Sequence, residues 1–167
     1  MCLNKAKVIT LEEDKVVYKA FTKKPDGTLL TLYQKRYYEL SDKPIHDELS
    51  KFDVYGREQD ISSGIMNING HDFEVIHNNG ECDVYGGMFH SFENYDDAVN
   101  VAASRRTTCS LQYWYGIGAK NVVVKCIIPK NAQLVMEGIF PYELNDKFFN
   151  AKSYASSDII FKEIVWL

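Results

Sequence analysis

The segment that most constrains this chain is Gly87-Met88-Phe89-His90-Ser91-Phe92-Glu93-Asn94-Tyr95-Asp96-Asp97-Ala98. Met88 to Ser91 reads as a short, buried strand that runs directly into a helix. Asn94 or Ser91 is placed to cap that helix, and Asp96 and Asp97 fall in its first turn, where the dipole favours acids. The helix is expected to run to about Ala103 with Ala98, Val101 and Ala102 turned inward. Strand ends commonly line clefts, so two readings of the junction stand side by side. In one, His90 sits at a cleft mouth as a hydrogen-bond donor or proton carrier near neutral pH, and Ser91 binds a ligand sugar or phosphate. In the other, His90 bonds a neighbouring carbonyl and Ser91 is only a cap.

The rest of the chain is rich in strands. Residues 15–22 suit a strand, Lys23-Lys24-Pro25-Asp26-Gly27 a turn, and residues 28–34 a second strand that could pair with the first. Residues 44–52 suit one or two helical turns, with Pro44 at the start. Ile65 to Ile68, Asn69-Gly70 and His71 to Ile76 form a hairpin signal, because Asn-Gly accepts the left-handed conformations of a tight turn. Residues 121–128 are the clearest strand. Pro129-Lys130-Asn131 turns the chain, Gln133 to Met136 resumes it, and residues 158–166 close it. Many strands with one or two short helices, and no repeat or linker, predict a single α+β domain over residues 1–167 with a mostly antiparallel, split sheet.

Composition narrows the function. The 167 residues are 46% hydrophobic and 25% charged, enough for one full core. Net charge is −4, from 19 basic and 23 acidic residues. Lys35-Arg36 and Arg105-Arg106 are the densest basic runs, so nucleic acid is not an expected partner, although a local patch for a small anion stays open. Eleven Tyr and nine Phe suit either a tyrosine-rich sheet or a cleft that holds rings or sugars. No apolar run approaches the ~20 residues that span a bilayer, so no membrane partner is expected.

Cys2, Cys82, Cys109 and Cys126 form no C-x-x-C pair, which points to a reduced, cytoplasmic protein. Loss of Met1 would expose Cys2 as an N-terminal nucleophile, but the residues after it are not glycine-rich. Arg105 and Arg106 could lower the pKa of Cys109, but no base for it is evident. His46, His71, His77 and His90 are scattered, so no metal site is expected. Neither a Walker loop nor a G-x-G-x-x-G fingerprint is present.

Read together, three segments resemble the ADP-ribosyltransferase family over about a third of the chain. Val16-Val17-Tyr18-Lys19-Ala20-Phe21 has the shape of the family's opening strand, with Lys19 where His or Arg is usual. Gly87-Met88-Phe89-His90-Ser91 and the helix from Asn94 to Ala103 match its central element. Ala155-Ser156-Ser157-Asp158-Ile159-Ile160-Phe161 matches its last, with Asp158 near the position of the catalytic Glu. The pattern is also similar to small phage and gut-bacterial proteins. The resemblance implies an ADP-ribosyltransferase-like sheet and three roles. The first is a binding protein for a nucleotide-like ligand that has lost transfer activity. The second is an active enzyme, with Tyr18, Lys19, His90 and Ser91 holding NAD and Asp158 or Glu163 steering an oxocarbenium-like sugar. The third is a phage-type inhibitor of a host enzyme, working through an aromatic surface. Lys19 lacks the planar fork or imidazole of the usual residue, and Asp158 is one methylene shorter than Glu, so the resemblance implies the fold more than the reaction.

Overall fold

The computed structural model describes residues 3–32, 36–46, 53–56, 64–68, 71–77, 82–84, 88–105 and 108–167. In chain order the elements are β1 (Asn4–Ile9), β2 (Lys15–Lys23), β3 (Leu29–Thr31), β4 (Tyr37–Tyr38), β5 (Ile45–His46), β6 (Asp53–Gly56), β7 (Gly64–Ile68), β8 (His71–His77), β9 (Cys82–Val84) and β10 (Phe89–Phe92). They continue with α1 (Tyr95–Ser104), α2 (Thr108–Tyr115), β11 (Lys120–Ile128), β12 (Val135–Leu144), β13 (Lys147–Ser156) and β14 (Asp158–Trp166).

The apolar run Val122-Val123-Val124 places β11 at the centre, because a strand apolar on both faces must be covered on both. It pairs antiparallel with β2, from Lys120↔Lys23 to Ile128↔Lys15, and with β14 on its other side. The main sheet runs β1-β12-β13-β10-β2-β11-β14-β5, and β3 and β4 extend it from β2. A second sheet has the order β7-β8-β6-β9. In it β7 and β8 pair antiparallel up to Ile68↔His71, as the hairpin signal predicts, while the Asn69-Gly70 turn itself lies outside the described residues. β6 and β8 form the one parallel pair among the described residues. The α+β, mostly antiparallel architecture read from the sequence is present, with two short helices.

The turn after β2 forms as its composition predicts: the Lys24 N–H donates to the Thr28 carbonyl at 2.9 Å, and Gly27 takes a φ of +90°. Residues 45–46 depart from the helix expected there. They form β5, which pairs with β14 through Ile45↔Ile159 and His46↔Asp158. Burial of Ile45 against the core and a sheet edge in need of a partner outweigh the helix-start signal of Pro44. Residues 47–52 lie outside the described residues.

One connection shapes the whole sheet. Only Ser157 separates β13 from β14 in sequence, yet β10, β2 and β11 lie between them in the sheet. A residue spans at most about 3.6 Å, so the sheet has to curl until the ends of β13 and β14 meet. The rings confirm the curl. Phe161 of β14 lies 5.9 Å from Phe89 of β10 and 5.2 Å from Phe21 of β2, each edge to face. The inner face therefore encloses Val17, Phe21, Phe89, Val124, Tyr154 and Phe161.

The outer face carries α1. Ala98, Val101 and Ala102 are buried, as predicted, and pack on Ala20, Phe92, Val123 and Ala151. Asn94 is the N-cap residue, although its side chain makes no capping bond, and Ser91 lies inside β10 rather than at the cap. The far end of α1 is closed from the sheet. Asn121 Nδ2 donates to the Ala102 and Arg105 carbonyls at 2.9 and 2.8 Å, satisfying acceptors that a helix end leaves open.

Phe161 is fully buried at the meeting point of the two sides. Phe161→Ala should cost about 3–5 kcal/mol, read as a lower urea midpoint at unchanged slope.

Candidate functional site

Adjacent residues of a strand point to opposite faces, and directly paired residues share one. The pairing Phe92↔Tyr18 puts Tyr18 on the outer face with Phe92, and His90, two residues along, on that face too. Lys19 and Ser91 fall on the inner face, Lys19 opposite Val124 and Ser91 opposite Tyr154. The four residues expected to hold one ligand are thus divided between the two sides of the sheet.

Lys19 is the most unusual of them. Its ammonium, half-buried on the inner face, donates to the His90 carbonyl at 2.7 Å. The ladder between β10 and β2 is registered only at Phe92↔Tyr18, and the lysine reaches the carbonyl beyond that point. Its Nζ also lies 5.7 Å from the centre of the Phe21 ring. Burial lowers its pKa from 10.5 to about 8, opposed by the nearby Cys126. Cys126 is fully buried and its thiol pKa is pushed up by that burial.

His90 is 5% exposed, and its Nδ1 has no hydrogen-bond partner among the described residues. Burial, helped by the Lys19 charge, holds its pKa well below 6.5. Ser91 Oγ is buried and likewise unpartnered among the described residues.

The two candidate acids differ in setting. Asp158 stands at the corner after Ser157. Its carboxylate accepts from Ser157 Oγ at 2.6 Å and the Gln133 N–H at 3.1 Å, and it pairs with His46 Nδ1 at 2.8 Å. These bonds tie the start of β14 to the loop before β12 and to β5. Glu163 is exposed on the outer face, paired with Lys125 at 3.7 Å, and Lys125 is itself opposite Tyr18. Tyr18, Lys125 and Glu163 therefore form one row across three strands, with Tyr95 edge-on to Tyr18 at 5.7 Å. A further carboxylate, Glu93, was not singled out from the sequence. Its burial would raise its pKa, but hydrogen bonds from Lys15, Tyr154 and Lys152 outweigh that and hold it at about 2.

The outer face also carries a cleft of about 280 Å³ beside the ends of α1 and α2. Its buried base is Thr22, Leu30, Leu111 and Asn121, with Thr31, Leu32 and Tyr115 partly exposed and Ser104 and Arg105 at the rim. The base is rigidly bonded, since Thr22 Oγ1 donates to Asn121 Oδ1 at 2.8 Å while the same amide holds the end of α1. The Arg36 backbone N–H donates to Thr31 Oγ1 at 3.0 Å. Tyr37, opposite Leu30 in the ladder and so on this face, has Lys24 Nζ 5.1 Å from its ring centre. Of the basic runs noted in the sequence, Arg105 stands at the rim of this cleft. The cleft joins β2 and β3 to the ends of α1 and α2, which no local spacing reveals.

Among the described residues no group of three or more His, Cys, Asp or Glu is placed to hold a metal ion, and no helix is long and apolar enough to cross a membrane. Comparison with known proteins finds no matching family model, curated protein or solved structure.

The Lys19 amine gives a pH signature. Its folded pKa of about 8 lies below the unfolded 10.5, so between these values the unfolded chain binds the extra proton. Stability should therefore rise from pH 8 towards pH 10.5, by up to roughly 3 kcal/mol for this group. Lys19→Met should flatten the rise, seen as a difference in unfolding midpoint between the two proteins that narrows with pH. A parallel pair of curves would remove the assigned role of the buried charge.

Proposed function

We propose that this protein binds a small, nucleotide-like ligand on an ADP-ribosyltransferase-like scaffold and does not transfer ADP-ribose. One observation carries the reading: Lys19 and Ser91 lie on the inner face of the sheet and Tyr18 and His90 on the outer. Transfer from NAD needs the nicotinamide ribose gripped and its developing charge stabilised at one point, by groups within hydrogen-bond reach. Asp158 supports the same reading, because both its oxygens already serve the corner between β13 and β14. The cleft at the end of α1 offers the ligand site, combining apolar walls with a few fixed polar groups.

A second reading, an interaction protein such as a phage-type inhibitor of a host enzyme, is favoured by one feature. Tyr113, Trp114 and Ile117 are 83%, 66% and 89% exposed at the end of α2, and exposed Trp and Tyr often anchor protein contacts.

Incubation with NAD and a cell lysate should yield neither labelled protein nor free nicotinamide. Asp158→Asn should change only stability, lowering it by about 1 kcal/mol as a partly buried bond network is cut. Nicotinamide release that disappears in Asp158→Asn or Glu163→Gln would make the protein a transferase instead.

A further inference from the structure

We infer that the end of the molecule formed by the β2–β3 turn and the tip of α2 binds single-stranded nucleic acid, its bases stacked on Tyr37 and Trp114 and its phosphates at Lys23 and Lys120. The inference goes beyond the cleft-ligand reading above and does not rest on it.

Contacts define the place. Lys120 opens β11 directly opposite Lys23, and Lys23 is also opposite Leu29, so the end of β2 and the starts of β3 and β11 share one end of the sheet. The loop from α2 to β11 lies against the turn, since a Cβ on Gly116 would stand 3.5 Å from Pro25 Cγ. Lys24 Nζ is 5.1 Å from the centre of the Tyr37 ring, which brings β4 to the same turn.

This end is rich in open aromatic surface. Tyr37 is 61% exposed and joins the exposed Tyr113, Trp114 and Ile117. Tyr113 meets Trp114 edge to face at 5.5 Å, which steadies the two rings without covering them. Rings that project separately suit bases, because every base offers a flat face to stack on. The anchors of a protein interface instead close into a packed, desolvated centre.

Charge points to the same partner. Residues 22–39 and 105–121 hold seven Lys and Arg against two acids, Asp26 and Glu39, in a chain of 19 basic and 23 acidic residues. Lys24 is engaged within the protein, by Asp26 at 4.0 Å and by Tyr37. Lys23 and Lys120 are placed differently. They stand directly opposite each other, and neither ammonium has an ion pair or hydrogen bond among the described residues. Like charges set opposite in this way weaken a strand pair, and a phosphate bound between them relieves the repulsion. The net charge of −4 opposes a long duplex footprint, but a few nucleotides at this end meet only the local charge.

The test uses fluorescein-labelled uridine and thymidine strands of about twelve nucleotides, within the usual site sizes. A duplex and a Glu-Leu peptide of matching length complete the set, all read by fluorescence anisotropy. Both single strands should bind, and the duplex about tenfold or more weakly, because its bases already stack on each other. Raising salt from about 50 to about 200 mM should weaken strand binding about sevenfold, the effect of two phosphate contacts. Trp114→Ala should weaken it about fivefold or more. Lys23→Gln combined with Lys120→Gln should remove most of the salt dependence. Circular dichroism checks the fold of each variant. Should Trp114→Ala fail to fold, Tyr37→Ala replaces it, with the same loss expected.

No anisotropy change at ~100 μM protein, the weak end of non-specific binding, would overturn the inference. So would a folded Trp114→Ala protein that binds normally, a duplex that binds as well as the strands, or a salt dependence untouched by the lysine changes. Binding of the acidic peptide but of neither strand would overturn it too, and would make this end a protein contact. None of these results bears on the cleft or on transfer from NAD.

Discussion

The whole architecture depends on the corner at Ser156-Ser157-Asp158. One residue joins β13 to β14, and three strands lie between them in the sheet. The corner is held by dense hydrogen bonding. The Ser157 N–H donates to the Leu134 carbonyl at 2.9 Å, its hydroxyl accepts from the Leu134 N–H at 2.9 Å, and the same hydroxyl donates to Asp158. A tight turn of this kind forces the sheet to curl, and the curl brings Phe89, Phe21 and Phe161 together. Closure removes apolar surface from water on one face and leaves the other to α1 and the cleft.

Closure also sorts the polar groups by consequence. Lys19 is drawn into the enclosed face, where its charge costs solvation and its pKa falls to about 8. The His90 carbonyl compensates it in part, at the point where β10 and β2 stop pairing. Ser91 and Ser156 are buried on the same face with no partner for their hydroxyls among the described residues. The outer face behaves differently. There Asn121 joins strand to helix, Tyr142 donates to Asp97 at 2.7 Å, and the bottom of the cleft is built from the same ties. The inner face thus encloses the larger cluster of buried side chains, while the outer face carries α1 and the open cleft.

Much of this was legible in the residues, for reasons of period and turn chemistry. The apolar run at 121–128, the Pro-Asp-Gly turn and the Ala98, Val101 and Ala102 stripe each carry a local physical signature. So did the turn between β12 and β13, where Asn145 and Asp146 take φ of 52° and 60°, as a two-residue hairpin asks of such residues. That signal was present and would have revealed β13. The division of the four candidate residues was also partly legible. Tyr18 and Lys19 are neighbours on a strand, as are His90 and Ser91, so no strand could turn both members of either pair to one cleft. By contrast β5 and α2 have weak local signals: two residues completed by β14, and eight residues with no charge and little amphipathic pattern.

The sequence by itself determined the α+β class, the antiparallel strands, the inward stripe of α1 and the absence of a broad basic surface. These follow from local period, turn residues and net charge, which act over a few residues at a time. Only the tertiary structure decided that β13 and β14 meet, that Lys19 turns to the inner face and that His90 is buried. It alone brought Thr22, Leu30, Leu111 and Asn121 around one cleft. Those outcomes depend on register and on the direction in which the sheet curls, and both are set by contacts between strands far apart in the chain.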